Sequence, residues 1–342
     1  MSFLSMDPLN IRSSSYLLLI IPNELLSLIL QLSNISSIFA LSLTSKQYQR
    51  HKSIQPFVFD RNFNLSIYSL QYIHLNAISN GHTDLFKWLA PNKTNIDVIR
   101  YMKEAVLNGQ LDILKYLNRI GNPMSRNIDG LCECAAENGH LDVLKYLREN
   151  EYSWTEWICI AAAKNGHLDC LKYLHENGRP WDKMTCARAA RNDHLDVLKY
   201  LHENGCLWDE YATAFAAEKG HLEILKYLHE NACPWDSSAS ANAAHEGHLE
   251  ILKYLHENGC PLDTDTCASA AIGGQLEILK YLHENGCSWD EMVCICAGKG
   301  GQLEVVKYLY EVRCPWINSA YTNAILYNHT DVSKWLQEKL NF

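Results

Sequence analysis

The sequence predicts an all-α solenoid of about ten short helix–turn–helix units behind a small helical head, and three observations predict it. The string GHLDVLKYL, or a close variant, begins at residues 81, 109, 139, 166, 193, 220, 247, 274, 301 and 328, spaced by 28, 30 and then 27 residues seven times. Within each copy, apolar residues fall at helical spacing in the segment that follows the turn, and small residues fill the segment before it. Ahead of the copies, residues 21–50 carry a different amphipathic pattern. A fixed period of this size marks a linear array, in which one helix pair cannot bury its apolar face alone and stacks on its neighbours.

In chain order, residues 1–15 read as a flexible N-terminus, 16–57 as the helical head, 58–68 as a joint and 69–342 as the array. In the head, Leu25, Leu26, Ile29 and Leu30 recur at i, i+1, i+4 and i+5, an amphipathic helix opened by Pro22 near its first turn. A second apolar stretch, Ile35 to Leu43, reads as another short helix. The pattern resembles an F-box, LPxELLxxIL, a turn, then LxxLxLVSKxF/W. The matching residues are Ile21, Pro22, Glu24, Leu25, Leu26, Ile29, Leu30, Leu41, Leu43, Ser45, Lys46 and Tyr48. It departs from that family at Thr44 (where valine is favoured), at Tyr48 (for a bulky Phe or Trp) and in a polar SNISS turn. The resemblance implies that Ile21, Pro22, Leu25, Leu26, Ile29, Leu30, Leu43 and Tyr48 dock on a Skp-type adaptor and join a cullin–RING ubiquitin ligase. The residues alone equally allow a cap over the apolar end of the array, since terminal units need a polar outer face.

One unit of the array runs from 182 to 208. Asp182 stands where an N-cap carboxylate would accept from the free amides of a first turn. The helix KMTCARAAR follows, with Cys186, Ala187, Ala189 and Ala190 small enough for neighbouring helices to approach closely. A turn over Asn192–His194 leads to LDVLKYLHEN, whose Leu195, Val197, Leu198 and Leu201 make one apolar stripe. Gly205 supplies the left-handed residue that stops this helix, and CLWD crosses to the next cap, Asp209.

The segments AAENGHLDVLKYL (135–147) and AAEKGHLEILKYL (216–228) resemble the ankyrin repeat, which has AAxxGHLEVVxLLL at the same place. The resemblance covers about residues 69–342 and is specific because it recurs. The period of 27 falls short of the family's usual 33 residues. The β-hairpin finger is therefore expected to be cut short. The family's TPLH is replaced by TCAR at 185–188 and TCAS at 266–269. Short units joined by HENGCPWD resemble the ankyrin-repeat paralogues of giant amoeba-infecting viruses, which implies a protein–protein interaction role in the host cytoplasm.

Charge and composition narrow the function. Of 30 basic and 39 acidic side chains, residues 1–67 hold five and three, so the array carries a net −11. An acidic array is a poor partner for phosphate backbones, which sets nucleic acid aside. No apolar run approaches the roughly 18 residues of a membrane span, and no secretory signal stands out, so the expectation is an intracellular chain that is monomeric apart from its partners. Thirteen cysteines in 342 residues are too sparse for a disulfide scaffold.

Most of the cysteines and of the 15 histidines fall on ladders. His140, His167, His194, His221 and His248 share one position that is Gln110, Gln275 and Gln302 in other units, which suits a hydrogen-bonding turn residue better than a zinc ligand. Cys206, Cys233, Cys260, Cys287 and Cys314 form another ladder; units stack about 10 Å apart, so its rungs cannot share a tetrahedral ion with sulfur at about 2.3 Å. The expectation is no metal, no cofactor and no catalytic residue. The Trp ladder, with Trp181, Trp208, Trp235 and Trp289, reads either as connector packing or as an exposed aromatic strip.

Comparing units exposes positions that vary while packing positions hold. Counted from each cap, these are Lys183, Met184, Arg188 and Arg191 in one unit, then Glu210, Tyr211, Phe215 and Glu218, with Asn242 and His245 in the next. A recognition surface gives such variation, and so does drift at exposed sites. Tyr211 and Phe215 are the expected anchors, because aromatic residues dominate binding hot spots.

Overall fold

A computed structural model of the chain describes residues 74–89, 98–120 and 130–340. The chain divides between Ile128 and Asp129 into two units, each taken by itself. In the first, a helix over 74–79 is followed by Thr83–Leu89, Val98–Leu107 and Leu111–Ile120. Ile78, Phe86, Met102, Val106, Ile113, Leu114 and Leu117 are fully buried. The Phe86 ring meets Tyr101 and Tyr116 edge-on at 5.7 and 6.2 Å, the arrangement favoured by aromatic quadrupoles.

The second unit repeats one helix pair. The first helices are Leu131–Glu137, Ile158–Lys164, Lys183–Arg191, Glu210–Lys219, Ser237–Glu246, Thr264–Gly273, Glu291–Gly300 and Ile317–Leu326. The second helices are Leu141–Glu149, Leu168–Glu176, Leu195–Glu203, Leu222–Glu230, Leu249–Glu257, Leu276–Glu284, Leu303–Glu311 and Thr330–Leu340. No strand occurs among the described residues, and only 204–209 join one pair to the next, so the β-hairpin finger is absent there.

Each boundary has a local cause. The carboxylates of Asp182, Asp209, Asp236, Asp263 and Asp290 accept from first-turn amides. At Asp182 and Asp263 the cap closes on itself, with the Thr185 and Thr266 hydroxyls accepting from the cap amides. The helix Leu195–Glu203 ends as expected at Gly205, φ 80°, where the Cys206 amide donates to Leu201 O at 2.9 Å and the Gly205 amide to His202 O at 3.0 Å.

The expected stripe needs one correction. Val197, Leu198 and Leu201 are buried, whereas Leu195 is only half-buried. As the first residue of its helix, Leu195 covers the turn on its N-terminal side rather than the packed layer.

Two kinds of contact join successive pairs. The first helices pack on one another most extensively, over Cys186, Ala187, Ala189 and Ala190 and their equivalents in the aspartate-capped units, all buried except at the position of Ala187, where Ala241 and Ile295 are half-buried. The turn histidines bridge units: Nε2 of His167, His194, His221 and His248 donates to the carbonyls of Glu137, Lys164, Arg191 and Glu218 at 2.9–3.1 Å. Gln275 and Gln302 donate in the same way to His245 O and Ile272 O, at 3.2 and 3.0 Å. Histidine and glutamine exchange because each places a side-chain N–H about the same distance from the backbone. The next unit's ring also lies against the turn glycine: a Cβ at Gly220, φ 83°, would stand 2.9 Å from His248 Cε1. Asp193, at φ 63°, and Asn328, at φ 62°, take this place in two units, and Asp193 sets its Oδ1 3.7 Å from His221 Nδ1.

Candidate protein-interaction face

The first helices present the variable positions identified in the sequence. Their packing face is occupied by small residues, so the remaining side chains point away from the stack and meet those of the adjoining unit. Lys183 Nζ lies 2.7 Å from Asp209 Oδ2, and that hydrogen bond holds the lysine pKa above its ordinary value. Asp209, which the sequence marks only as a cap, is thus a cap and an ion-pair partner at 8% exposure.

One unit along, Arg191 reaches Glu218 Oε1 at 2.6 Å, with Lys219 Nζ on the same oxygen at 2.9 Å. Burial works against the Glu218 charge, but the two cations outweigh it and hold the carboxyl below its usual range. Arg188 and Arg191 sit over the Phe215 ring at 5.6 and 5.0 Å, and Tyr211 leans against Phe215 at 6.1 Å. Lys183, Arg188, Arg191, Tyr211, Phe215 and Glu218 therefore form one continuous patch over two units.

The patch differs from the sequence expectation in its charges and its anchors. Lys183 is neutralised by Asp209 and Arg191 by Glu218 across the unit boundary, so these side chains offer little net charge to a partner. Phe215 is half-buried beneath two guanidiniums, and Tyr211, 50% exposed, is the more available ring. Met184 and Glu210 are half-buried beside it. Asn242 is not free: its Nδ2 donates to Ala214 O at 3.2 Å and straps two units together. His245 is exposed and pairs with Glu246 at 3.1 Å.

The second position after the cap, already singled out by its variation at Met184 and Tyr211, carries two more apolar side chains, with Ser238 and Asp265 in the units between. Trp157 (59% exposed) and Met292 (45%) stand where Met184 and Tyr211 stand in their units. Counting from the caps finds all four, because the period is constant.

The remaining ladders are structural. The Trp ladder packs the connectors: Trp181, Trp208 and Trp235 stack on His175, His202 and His229 at 3.9–4.1 Å, edge-on to Tyr200, Tyr227 and Tyr254 of the next unit. Lysines on the second helices either pair with an acid three residues earlier, as Lys226 does with Glu223 at 2.8 Å, or lie over the next unit's tyrosine, as Lys172 does at 5.6 Å. Among the described residues no group of three or more His, Cys, Asp or Glu is placed to hold a metal ion, and no helix is long and apolar enough to cross a membrane. Ile21, Pro22, Leu25, Leu26, Ile29, Leu30, Leu43 and Tyr48, expected to dock on an adaptor, lie outside the described residues.

A search of curated proteins finds no match. The crystal structure of the human ASB11 ankyrin repeat domain is similar at 20% identity and a TM-score of 0.39, covering 47% of this chain and 84% of that one. The family model described as ankyrin repeats (3 copies) matches residues 102–183, 131–212, 184–266 and 213–291, together more than half of the chain. With its helix pairs, inter-unit turn bonds and recurrent sequence, the chain belongs to the ankyrin-repeat family.

Proposed function

We propose that this protein recruits a protein substrate on the first-helix face of its repeats and presents it to a Skp-type/cullin ubiquitin ligase through residues 21–50, with no catalytic chemistry of its own. One observation carries the recruiting half. Side chains at the fourth, seventh and eighth positions after each aspartate cap are small and buried, while those beside them change from unit to unit and converge on a half-exposed aromatic pair, Tyr211 and Phe215. Ankyrin repeats are interaction modules, and an acidic array suits a protein partner. The ligase half rests on the F-box resemblance of Ile21 to Tyr48 placed ahead of such an array. The viral resemblance supports a role in the host cytoplasm.

Co-precipitation with a Skp-type adaptor tests the ligase half. Leu26→Asp together with Ile29→Asp is expected to abolish capture, because two charges would enter the apolar face of the head, and to leave the unfolding midpoint of the repeats unchanged. Capture that survives both substitutions overturns the reading. A lowered repeat midpoint with no adaptor bound by the unsubstituted protein favours a helical cap instead.

For the recruiting half, Tyr211→Ala is expected to weaken the binding of proteins captured by proximity labelling by roughly 30-fold, the effect of losing a hot-spot side chain of about 2 kcal/mol. The thermal midpoint should hold, since Tyr211 is half exposed. Undiminished capture places the partner elsewhere.

A further inference from the structure

Three units bring two of their own cysteines together. Cys186 and Cys206 sulfurs lie 3.1 Å apart, Cys267 and Cys287 2.7 Å, and Cys294 and Cys314 3.0 Å. In every pair a first-helix residue, the fourth after the cap, faces the connector residue 20 positions later. The units between show the same geometry without a second thiol: Ser240 Oγ lies 3.2 Å from Cys260 Sγ, and Thr213 takes the position opposite Cys233. The connector sulfurs are further held by the backbone, with Cys206 and Cys287 each donating to a cap carbonyl, Asp182 O and Asp263 O, at 3.2 Å.

We propose that Cys186–Cys206, Cys267–Cys287 and Cys294–Cys314 are oxidation sites at which hydrogen peroxide closes disulfides within single repeat units. A disulfide sets its sulfurs about 2.05 Å apart, so each pair needs an approach of only roughly 1 Å. The connector thiol reacts first. The first-helix thiol donates a hydrogen bond to it, which pushes Cys287 down and takes Cys314 to about 7, while the donor Cys267 and Cys294 are pushed up. The connector thiolate attacks one peroxide oxygen. The O–O bond breaks, a protonated hydroxide leaves as water, and the sulfur becomes a sulfenic acid. The first-helix sulfur then attacks the sulfenic sulfur, giving up its proton. The S–O bond breaks, hydroxide leaves with that proton as a second water, and the S–S bond forms. Two thiols have lost two electrons, and one peroxide has become two waters.

The products link each first helix to the connector that follows its own unit, leaving the inter-unit bonds of the turn histidines and glutamines untouched. Cys287 is half-buried, whereas its counterparts Cys206 and Cys314 are 4% and 5% exposed, so Cys267–Cys287 closes first. In a reducing compartment the pairs rest as dithiols and the disulfides form under oxidant.

The test titrates the folded full chain with hydrogen peroxide, blocks remaining thiols by alkylation, and maps unreduced peptides by mass spectrometry. Three cross-linked peptide pairs are expected, 186 to 206, 267 to 287 and 294 to 314, each lighter by two hydrogens and each reversed by a reductant. Cys233 and Cys260 are expected to be recovered alkylated. Cys287→Ser reproduces the Ser240 and Cys260 arrangement in reverse, so it keeps the fold by precedent within this chain and should remove only the 267-to-287 link. Thiols that stay reduced, or links spread among all cysteines and between molecules, overturn the proposal.

Discussion

Leu225→Ala is expected to lower the free energy of unfolding by about 2–5 kcal/mol. Leu225 is fully buried in the helix Leu222–Glu230, midway along the second unit of the chain. Truncation removes its transfer free energy and leaves a cavity that the surrounding leucines fill only in part. Each repeat rests mainly on its neighbours, so the loss is felt locally before it is felt globally. Hydrogen exchange is expected to show lost protection first over the helix pairs on either side, Lys183–Glu203 and Ser237–Glu257, with the pair around Leu303–Glu311 holding longer. Uniform protection along the mutant array would contradict this account.

The second large effect is expected at Gly298. It is the eighth residue after its cap, a position held by Ala190, Ala217, Ala244 and Ala271 elsewhere, all fully buried. A Cβ at 298 would press on the Ala320 carbonyl oxygen and lie 2.8 Å from the Ala320 Cα. Both are backbone atoms of the adjoining helix Ile317–Leu326 and cannot swing aside. Gly298→Val is expected to cost about 1–3 kcal/mol through overpacking, because valine regains little of glycine's helical penalty. The helices Ile317–Leu326 and Thr330–Leu340 should be cut by protease before the rest of the array. An unchanged urea midpoint together with unchanged cleavage would show that the two helices separate freely.

Much of this architecture is legible along the chain. The period, the aspartate caps, the glycine that ends four of the second helices (Gly178, Gly205, Gly259 and Gly286) and the small residues of the first helices are local features, read within a turn or two of helix. The His and Gln exchange is equally legible as a turn bond, because a metal would not accept both at the same position. The candidate face is legible as variation between units, but its chemistry is not. Lys183 and Asp209 are 26 positions apart, and Arg191 and Glu218 27. Their pairing depends on how far one unit is turned against the next. The cysteine ladder misleads in the same way when it is read rung by rung.

Sequence alone therefore settles the elements and their order, since hydrogen bonds from cap to first turn and apolar spacing within one helix involve residues close in the chain. Stacking decides what those elements present. It turns three charges of the face into ion pairs, leaves Tyr211 more open than Phe215, lifts Leu195 out of the packed layer and sets Cys267 against Cys287. Each of these outcomes depends on the placement of one rigid helix against another or against its connector, and a change of about 1 Å in that placement separates a contact from a gap.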